Sequence, residues 1–440
     1  MERPSVMVIG GGLAGCEAVW RLARAGLAVD LYEMKPTVFS PAHVSPLLAE
    51  LVCSNSFRSN DLHSAVGLLK EEMRRLGSLL MRAAEECRVP AGKALAVDRE
   101  KFAALVTSRV ATLPGVRLIR KEVTELDPDR LTILATGPLT SESMNRGLAA
   151  LIGSQHLYFY DAIAPIVASD SIDHSRTFRA SRYDDSGEGD YVNCPLSEEE
   201  YKAFYRALIA ADQTPSRAFE EPKYFEGCLP LEVMAQRGER TLTFGPLKPV
   251  GLVDPRTGLR PYAVVQLRRE NEAGTLYNLV GFQTRLTRSA QDRVFRLIPG
   301  LERAEFVRWG SVHRNTFIHG PSHLTRHLNL KSHPLIFLAG QITGVEGYVE
   351  SAAMGLLAGE NAARTTRGEL LAAPPPTTAV GALVSHLVDQ TERVFQPTNV
   401  NFGLMPPAPP DVRKGDRPAY YARRALEDLE AWMAEVGYDA

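Results

Sequence analysis

VMVIGGGLAGCEAVWRLARAGLAVDLYE, from Val6 to Glu33, decides the fold of this chain. Val6 to Ile9 read as a short strand buried on both faces. Gly10, Gly12 and Gly15 then set a GxGxxG pattern as the chain turns into a helix carrying Ala18, Leu22 and Ala25. A second, mostly apolar run, Ala28 to Tyr32, ends at the acidic Glu33.

Each part has a task in holding a dinucleotide. Gly10 allows the tight turn, Gly12 lets backbone approach a pyrophosphate, and Gly15 lets helix and strand pack closely. The unpaired N–H groups at the helix start attract the negative pyrophosphate. Glu33 can accept both ribose hydroxyls and would repel a 2′-phosphate, which selects FAD or NAD over NADP. A glycine-rich turn alone is a weak signal; strand, helix, second strand and acid in register make it a strong one.

The 440 residues suffice for two or three domains, and the composition, 45% hydrophobic and 23% charged, is that of a soluble globular protein. No apolar run is long enough to cross a membrane. The first strand begins near residue 5, which leaves no room for a signal peptide. Five cysteines without paired short spacing give neither a disulfide framework nor a metal site, and fit a reducing cytoplasm. The net charge of -2 does not announce a nucleic-acid binder, although a basic face can coexist with a neutral sum.

Beyond Glu33 an irregular segment holds Pro36, Pro41 and His43, and Leu47 to Val52 read as a short helix delivering Cys53 into Ser54-Asn55-Ser56. A packing cysteine belongs in an apolar element; one among small polar residues beside a nucleotide site is a candidate for reactivity. Residues 61 to 87 read as helical, with Cys87 as packing. Asp98 is placed to cap a helix over Lys101 to Val110. Strands over Val116 to Val123 and Leu131 to Ala135 follow. The second enters Ala135-Thr136-Gly137-Pro138, a glycine turn that returns the chain to the dinucleotide.

From about 153 the strand–helix rhythm stops, which marks an inserted domain with a small sheet and helices such as Glu198 to Ala211. Cys228 lies there between Gly227 and Leu229-Pro230. Between 285 and 331 basic residues interleave with aromatics, a pattern that fits either a nucleic-acid phosphate backbone with stacked bases or a solvated surface. Leu335 to Ala339 returns to a buried strand. Gly340, Gly344 and Gly347 then bring backbone close to a partner ahead of an Ala/Gly-rich helix, Val349 to Ala363. The boundaries are 1–152 for the first part of the FAD-binding domain, 153–330 for the insert, and 331–440 for the return and C-terminal helices.

The residues alone describe a flavoprotein with two candidate reactive thiols, Cys53 and Cys228. A thiol–disulfide flavoenzyme is disfavoured, because neither CxxC nor CxxxxC spacing occurs. A simple oxidase or hydroxylase, an enzyme that uses a thiolate beside the flavin, and a non-enzymatic FAD scaffold all stay open.

The segments PAHVSPLLAELVCSNSFRSN (41–60), ATGPLTS (135–141), YFYDAIAPIV (158–167), YFEGCLPLEVMAQRG (224–238), AGQITGVEGYVESAAMGLLAG (339–359) and FQPTNVNFGL (395–404) carry a resemblance. The chain resembles the folate- and FAD-dependent tRNA (uracil-5-)-methyltransferases over almost its full length. Departures are mild: Val19, Leu231 and Thr398 replace residues common in the family, and none removes a reactive group. A related, larger flavoprotein that modifies wobble uridines shares the fingerprint, but it has a long C-terminal helical domain for which 440 residues leave no space.

The resemblance implies an α/β fold: a Rossmann-like FAD-binding domain of the glutathione-reductase type, interrupted by an inserted α+β domain. It implies FAD as cofactor, methylenetetrahydrofolate as carbon donor, NADH or NADPH as reductant, and the T loop of tRNA as substrate, with no obligate protein partner. By the same resemblance Cys228 attacks uracil C6 and Cys53 assists near the flavin, although the two roles could be exchanged. The FAD contacts expected are Gly10, Gly12, Gly15, Glu33, Gly137, Gly340, Gly344 and Gly347. Arg285, Arg288, Arg314, Arg326 and Lys248 are the candidates for tRNA contact, with His43 and His313 as polar neighbours.

Overall fold

A computed structural model describes residues 5–153, 157–182, 189–214, 229–389 and 395–439. Val6–Ile9 forms the central strand of a five-stranded parallel sheet. It pairs on one side with Val29–Glu33, Val6 opposite Val29, and on the other with Thr132–Leu134, Val8 opposite Ile133. Val116–Arg120 and Ile336–Leu338 complete the two edges. A central parallel strand is covered on both faces, which is why its sequence is an unbroken apolar run.

The fingerprint helix, Leu13–Arg24, crosses the return helix, Tyr348–Arg367, at very short range. A Cβ on Gly355 would lie 2.2 Å from the Ala14 carbonyl oxygen, and one on Gly359 would lie 3.0 Å from the Ala18 Cα. The small residues of both helices are therefore demanded by their crossing. Beside it the buried Glu360 joins Arg21 (2.6 Å) to Arg364 (2.7 Å).

The inserted unit is an antiparallel six-stranded sheet in the order Phe178–Arg179, Tyr191–Leu196, Ala263–Arg269, Leu276–Leu279, Ile166–Ala168, Phe306–Arg308. Helix Glu198–Ile209 starts in a capping box of Ser197 and Glu200. It packs Tyr201, Phe204 and Leu208 into a core shared with Phe282 and Phe295. A two-stranded ribbon, Leu157–Ile163 against Ser311–Phe317, carries the chain out to this unit and back. The last helix, Arg417–Glu435, buries Ala425, Leu429 and Trp432 on the body.

Two expected elements differ. Leu47 to Val52 forms bends, not a helix. Its amides are taken by distant partners: Leu48 N donates to Thr107 Oγ1 and Ala49 N to Gly11 O, both at 2.8 Å. The helical stretch from 61 to 87 breaks at Gly77, with φ +77°, into Ala65–Arg75 and Leu79–Glu86. The buried Glu17 and Ser78 accept the first amides of the second helix, which makes the break a structured one. Among the described residues no helix is long and apolar enough to cross a membrane.

Candidate functional site

All five strands of the parallel sheet end at one cavity of about 370 Å³, which Ile9, Glu33, Lys121, Ala135 and Gly340 border. Ligands of open α/β sheets bind at this carboxyl edge. The glycine loop forms its floor. Gly10 has φ +103°, and a Cβ there would lie 2.5 Å from the Ala135 carbonyl oxygen, so two strand ends can approach only at glycine. A Cβ on Gly15 would strike Gly10 O at 1.8 Å. Gly12 differs: its φ is -76° and a Cβ would meet nothing within 4 Å. Neither backbone nor packing requires glycine at that position, and the open space fits a ligand lying against the backbone.

Gly12 and Gly347 begin the two helices that cross, and neither start has a side-chain cap. Several other helices are capped by Ser64, Asp98, Ser141 or Thr287, although the last helix, Arg417–Glu435, also lacks a side-chain cap. Gly12, Leu13, Gly347 and Tyr348 line the cavity, where an anionic group would satisfy N–H groups that no side chain caps. Glu33 accepts from Gly11 N (2.8 Å) and Lys35 N (2.9 Å), so its carboxylate also braces the fingerprint loop. Lys35 in turn binds Glu50 at 3.0 Å and the Leu47 carbonyl at 2.7 Å.

Cys53 lies in the same wall. Its backbone N–H donates to Tyr348 Oη at 2.9 Å, Ser54 N donates to that oxygen at 3.3 Å, and Cys53 Sγ lies 3.0 Å from it. Burial, with the nearby Cys53, pushes the Tyr348 phenol well above its usual range, so the hydroxyl keeps its proton. The loop is held from below by Arg99, whose Nη1 donates to Leu51 O at 2.7 Å and Nη2 to Glu270 at 2.9 Å. Burial works against the Arg99 charge, but Glu270, Tyr348 and Cys53 outweigh it and raise its pKa.

The inserted sheet reaches this loop through Arg268, which donates to Asn55 Oδ1 (3.0 Å) and Ser54 Oγ (2.8 Å). Asn55 Nδ2 returns bonds to Val97 O (2.9 Å) and Arg269 O (3.0 Å). The candidate thiol is thus positioned by both units of the molecule.

Gly10, Gly12, Glu33, Cys53, Gly137, Gly340, Gly347 and His43 line the cavity. His43 is held below the usual histidine range by burial and by Lys35, and its Nδ1 lies 2.5 Å from Ser40 Oγ. Gly15 packs beneath the loop. Gly344, with φ +103°, stands behind the wall, where a Cβ would meet the Phe395 ring at 2.4 Å. Cys228 lies outside the described residues, as do the side chains of His313 and Arg314. Tyr348 and Arg99 escaped sequence reasoning, and so did Arg268. Tyr348 follows a glycine loop, and Arg268 lies in a strand that also carries Gln266 and Arg269, so neither stands out, and their partners are distant.

This fold and cavity define an α/β protein of the dinucleotide-binding type with an antiparallel unit inserted between its halves. Two crystal structures of Aquifex aeolicus GidA superimpose with a TM-score of 0.72 at 15–16% identity, over 99% of this chain and 74–76% of theirs. A sequence profile described as "Glucose inhibited division protein A" matches residues 5–370. The methylenetetrahydrofolate--tRNA-(uracil-5-)-methyltransferase TrmFO of Geobacter sulfurreducens is 60% identical over 98% of this chain and 99% of its own. That of Syntrophus aciditrophicus is 55% identical over 99% of both. The chain belongs to the glucose inhibited division protein A family, within its TrmFO branch.

Proposed function

We propose that this protein methylates C5 of a T-loop uridine in tRNA, taking the carbon from methylenetetrahydrofolate. The carbon of that donor is at the formaldehyde level, and FAD held in the cavity would supply, in its reduced form, the two electrons needed to make it a methyl group, with NADH or NADPH as the reductant. The full-length likeness to the methyltransferases supports the reading. The observation that carries it is Cys53 in the wall of the dinucleotide cavity, beside a phenol that stays protonated.

Gly10, Gly12, Gly137, Gly340 and Gly347 would hold the FAD backbone, with Glu33 at the adenosine ribose. The Cys228 thiolate adds to uracil C6, which makes C5 an enolate carbon able to take up the one-carbon unit. Cys53 then removes the C5 proton, and the Cys228–C6 bond breaks to restore the aromatic base. Arg285, Arg288 and Lys248 on the inserted unit are the described candidates for the tRNA backbone, together with Arg326. The reaction belongs in the cytoplasm, and no protein partner is invoked.

The test supplies labelled methylenetetrahydrofolate, NADPH and undermodified tRNA and looks for labelled 5-methyluridine. S-adenosylmethionine in place of folate should give none. Cys53→Ala and Cys228→Ala should each abolish transfer and retain FAD. A variant that methylates at the parental rate removes that cysteine from the mechanism. Hydrogen peroxide production independent of tRNA would replace the reading with that of an oxidase.

A further inference from the structure

Arg58 is a charged residue of the cavity wall that the steps at uracil leave unused. It belongs to the short strand Ser56–Ser59, which pairs with Ala94–Val97 so that Ser56 is opposite Ala96 and Ser59 opposite Ala94. Phe57 and Arg58 thus share one partner, Leu95, in a β-bulge, and Arg58 has φ +62°. Arginine rarely takes left-handed backbone, and a bulge re-aims a side chain. The distortion is held in place: the fully buried Lys70 donates to the carbonyls on either side of Arg58, Phe57 O at 2.8 Å and Ser59 O at 2.5 Å. Arg58 N itself donates to Ser56 Oγ at 3.0 Å.

The guanidinium is anchored as well as aimed. Its Nη2 donates to Glu350 Oε1, a fully buried carboxylate in the first turn of the return helix, and the same oxygen accepts Val400 N at 2.9 Å. Among the described residues Nε and Nη1 meet no acceptor, and 39% of the side chain stays exposed. An arginine present only to neutralise a buried acid would be covered, as Arg21 and Arg364 are beside Glu360, each with 7% exposed. Arg58 also stands on the Cys53 side of the cavity. Glu350 lies two residues beyond Tyr348, whose hydroxyl meets Cys53, and the Phe57 and Tyr348 ring centroids are 6.0 Å apart. The carbon donor must reach that side. Its reduced pterin and aminobenzoyl arm are uncharged near neutral pH, so its glutamate carboxylates are the groups a guanidinium can bind, and they match those unused donors.

We propose that Arg58, set by the bulge and braced by Glu350, binds a glutamate carboxylate of the folate donor. Lys70 fixes the backbone from which the side chain projects, and Glu350 fixes the direction of the guanidinium. The remaining N–H groups then meet the carboxylate and orient the donor along the wall that carries Cys53. The proposal rests on the methyltransferase reading, but its measurement needs no turnover.

The FAD-loaded full-length protein is titrated anaerobically, by calorimetry, with tetrahydrofolate and with tetrahydropteroate, which lacks the glutamate. The parent should bind tetrahydrofolate at least about tenfold more tightly, as a charge-assisted hydrogen bond would give. Arg58→Gln should lose that margin and bind both compounds as the parent binds tetrahydropteroate, while Arg58→Lys should keep part of it. FAD content and the affinities for NADPH and tRNA should stay at parental values. Should Arg58→Gln fail to fold, the double variant Arg58→Gln/Glu350→Gln, which leaves no buried carboxylate unpaired, carries the same comparison. Equal binding of the two compounds by the parent overturns the proposal, whether or not any variant folds. So does a loss in Arg58→Gln that falls equally on both, or one that falls on NADPH or tRNA, which would make Arg58 a phosphate contact. Binding of neither compound removes the folate reading and this proposal together, whereas equal binding of both removes only the role of Arg58.

Discussion

Glu72 is fully buried, and its carboxylate accepts the amides of Ala379 and Val380 at 2.7 and 2.9 Å, closing the start of the helix Ala379–Val388. Burial raises its pKa from 4.5 to about 8, with the two amides pulling against that rise. The folded chain therefore keeps a proton that the unfolded chain releases above about pH 4.5. Stability from this group is complete below that pH, declines as pH climbs toward 8, and is level beyond. Glu17, raised by burial to about 7, acts in the same direction. The melting temperature should fall between pH 5 and pH 8. Glu72→Gln leaves one amide unpaired at a cost of about 1–3 kcal/mol, so it should melt lower at pH 5 yet vary less across the interval. An unchanged slope in that variant would remove Glu72 from the pH response.

At the scale of elements, the crossing of the two small-residue helices controls the cavity. Gly355→Ala would place a methyl 2.2 Å from the Ala14 carbonyl, against backbone that cannot yield without moving the fingerprint helix. Overpacking of this kind costs about 1–3 kcal/mol, so the variant should melt lower and release flavin on gel filtration that the parent retains. A variant that keeps both properties would show that the crossing is slack. That the return helix is crowded was legible in its Ala/Gly run after Val349, but that run reads as crowding against sheet and flavin, and its partner, the fingerprint helix, lies too far off along the chain to be read. Leu47 to Val52 was not legible as bends, because its apolar spacing suits a helix and only the distant acceptors Thr107 and Gly11 draw its amides away. Arg99 and Arg268 escaped for a related reason. A single arginine says nothing about which carbonyl or carboxylate it meets, and theirs lie far off along the chain. The glycine loops could be read because one residue type answers one local need.

Across the whole molecule, Asn55 is where the inserted sheet is joined to the Cys53 loop. Its side chain bonds Val97 O, Arg269 O and the Arg268 guanidinium. Asn55→Ala leaves those buried groups without partners and loosens the loop from the insert without touching the glycine wall. Methyl transfer should fall at least tenfold while FAD content stays at the parental level; equal losses of both would mean that the join also holds the cofactor site.

The central sheet takes its strands from Val6–Ile9 at one extreme and Ile336–Leu338 at the other, and the fingerprint helix finishes its packing only against Tyr348–Arg367. The nucleotide loop is thus made well before the return helix that completes its packing. Cofactor loading must wait until Tyr348–Arg367 has been synthesised, and until then the alanine face of the fingerprint helix is left to whatever holds nascent chains apart.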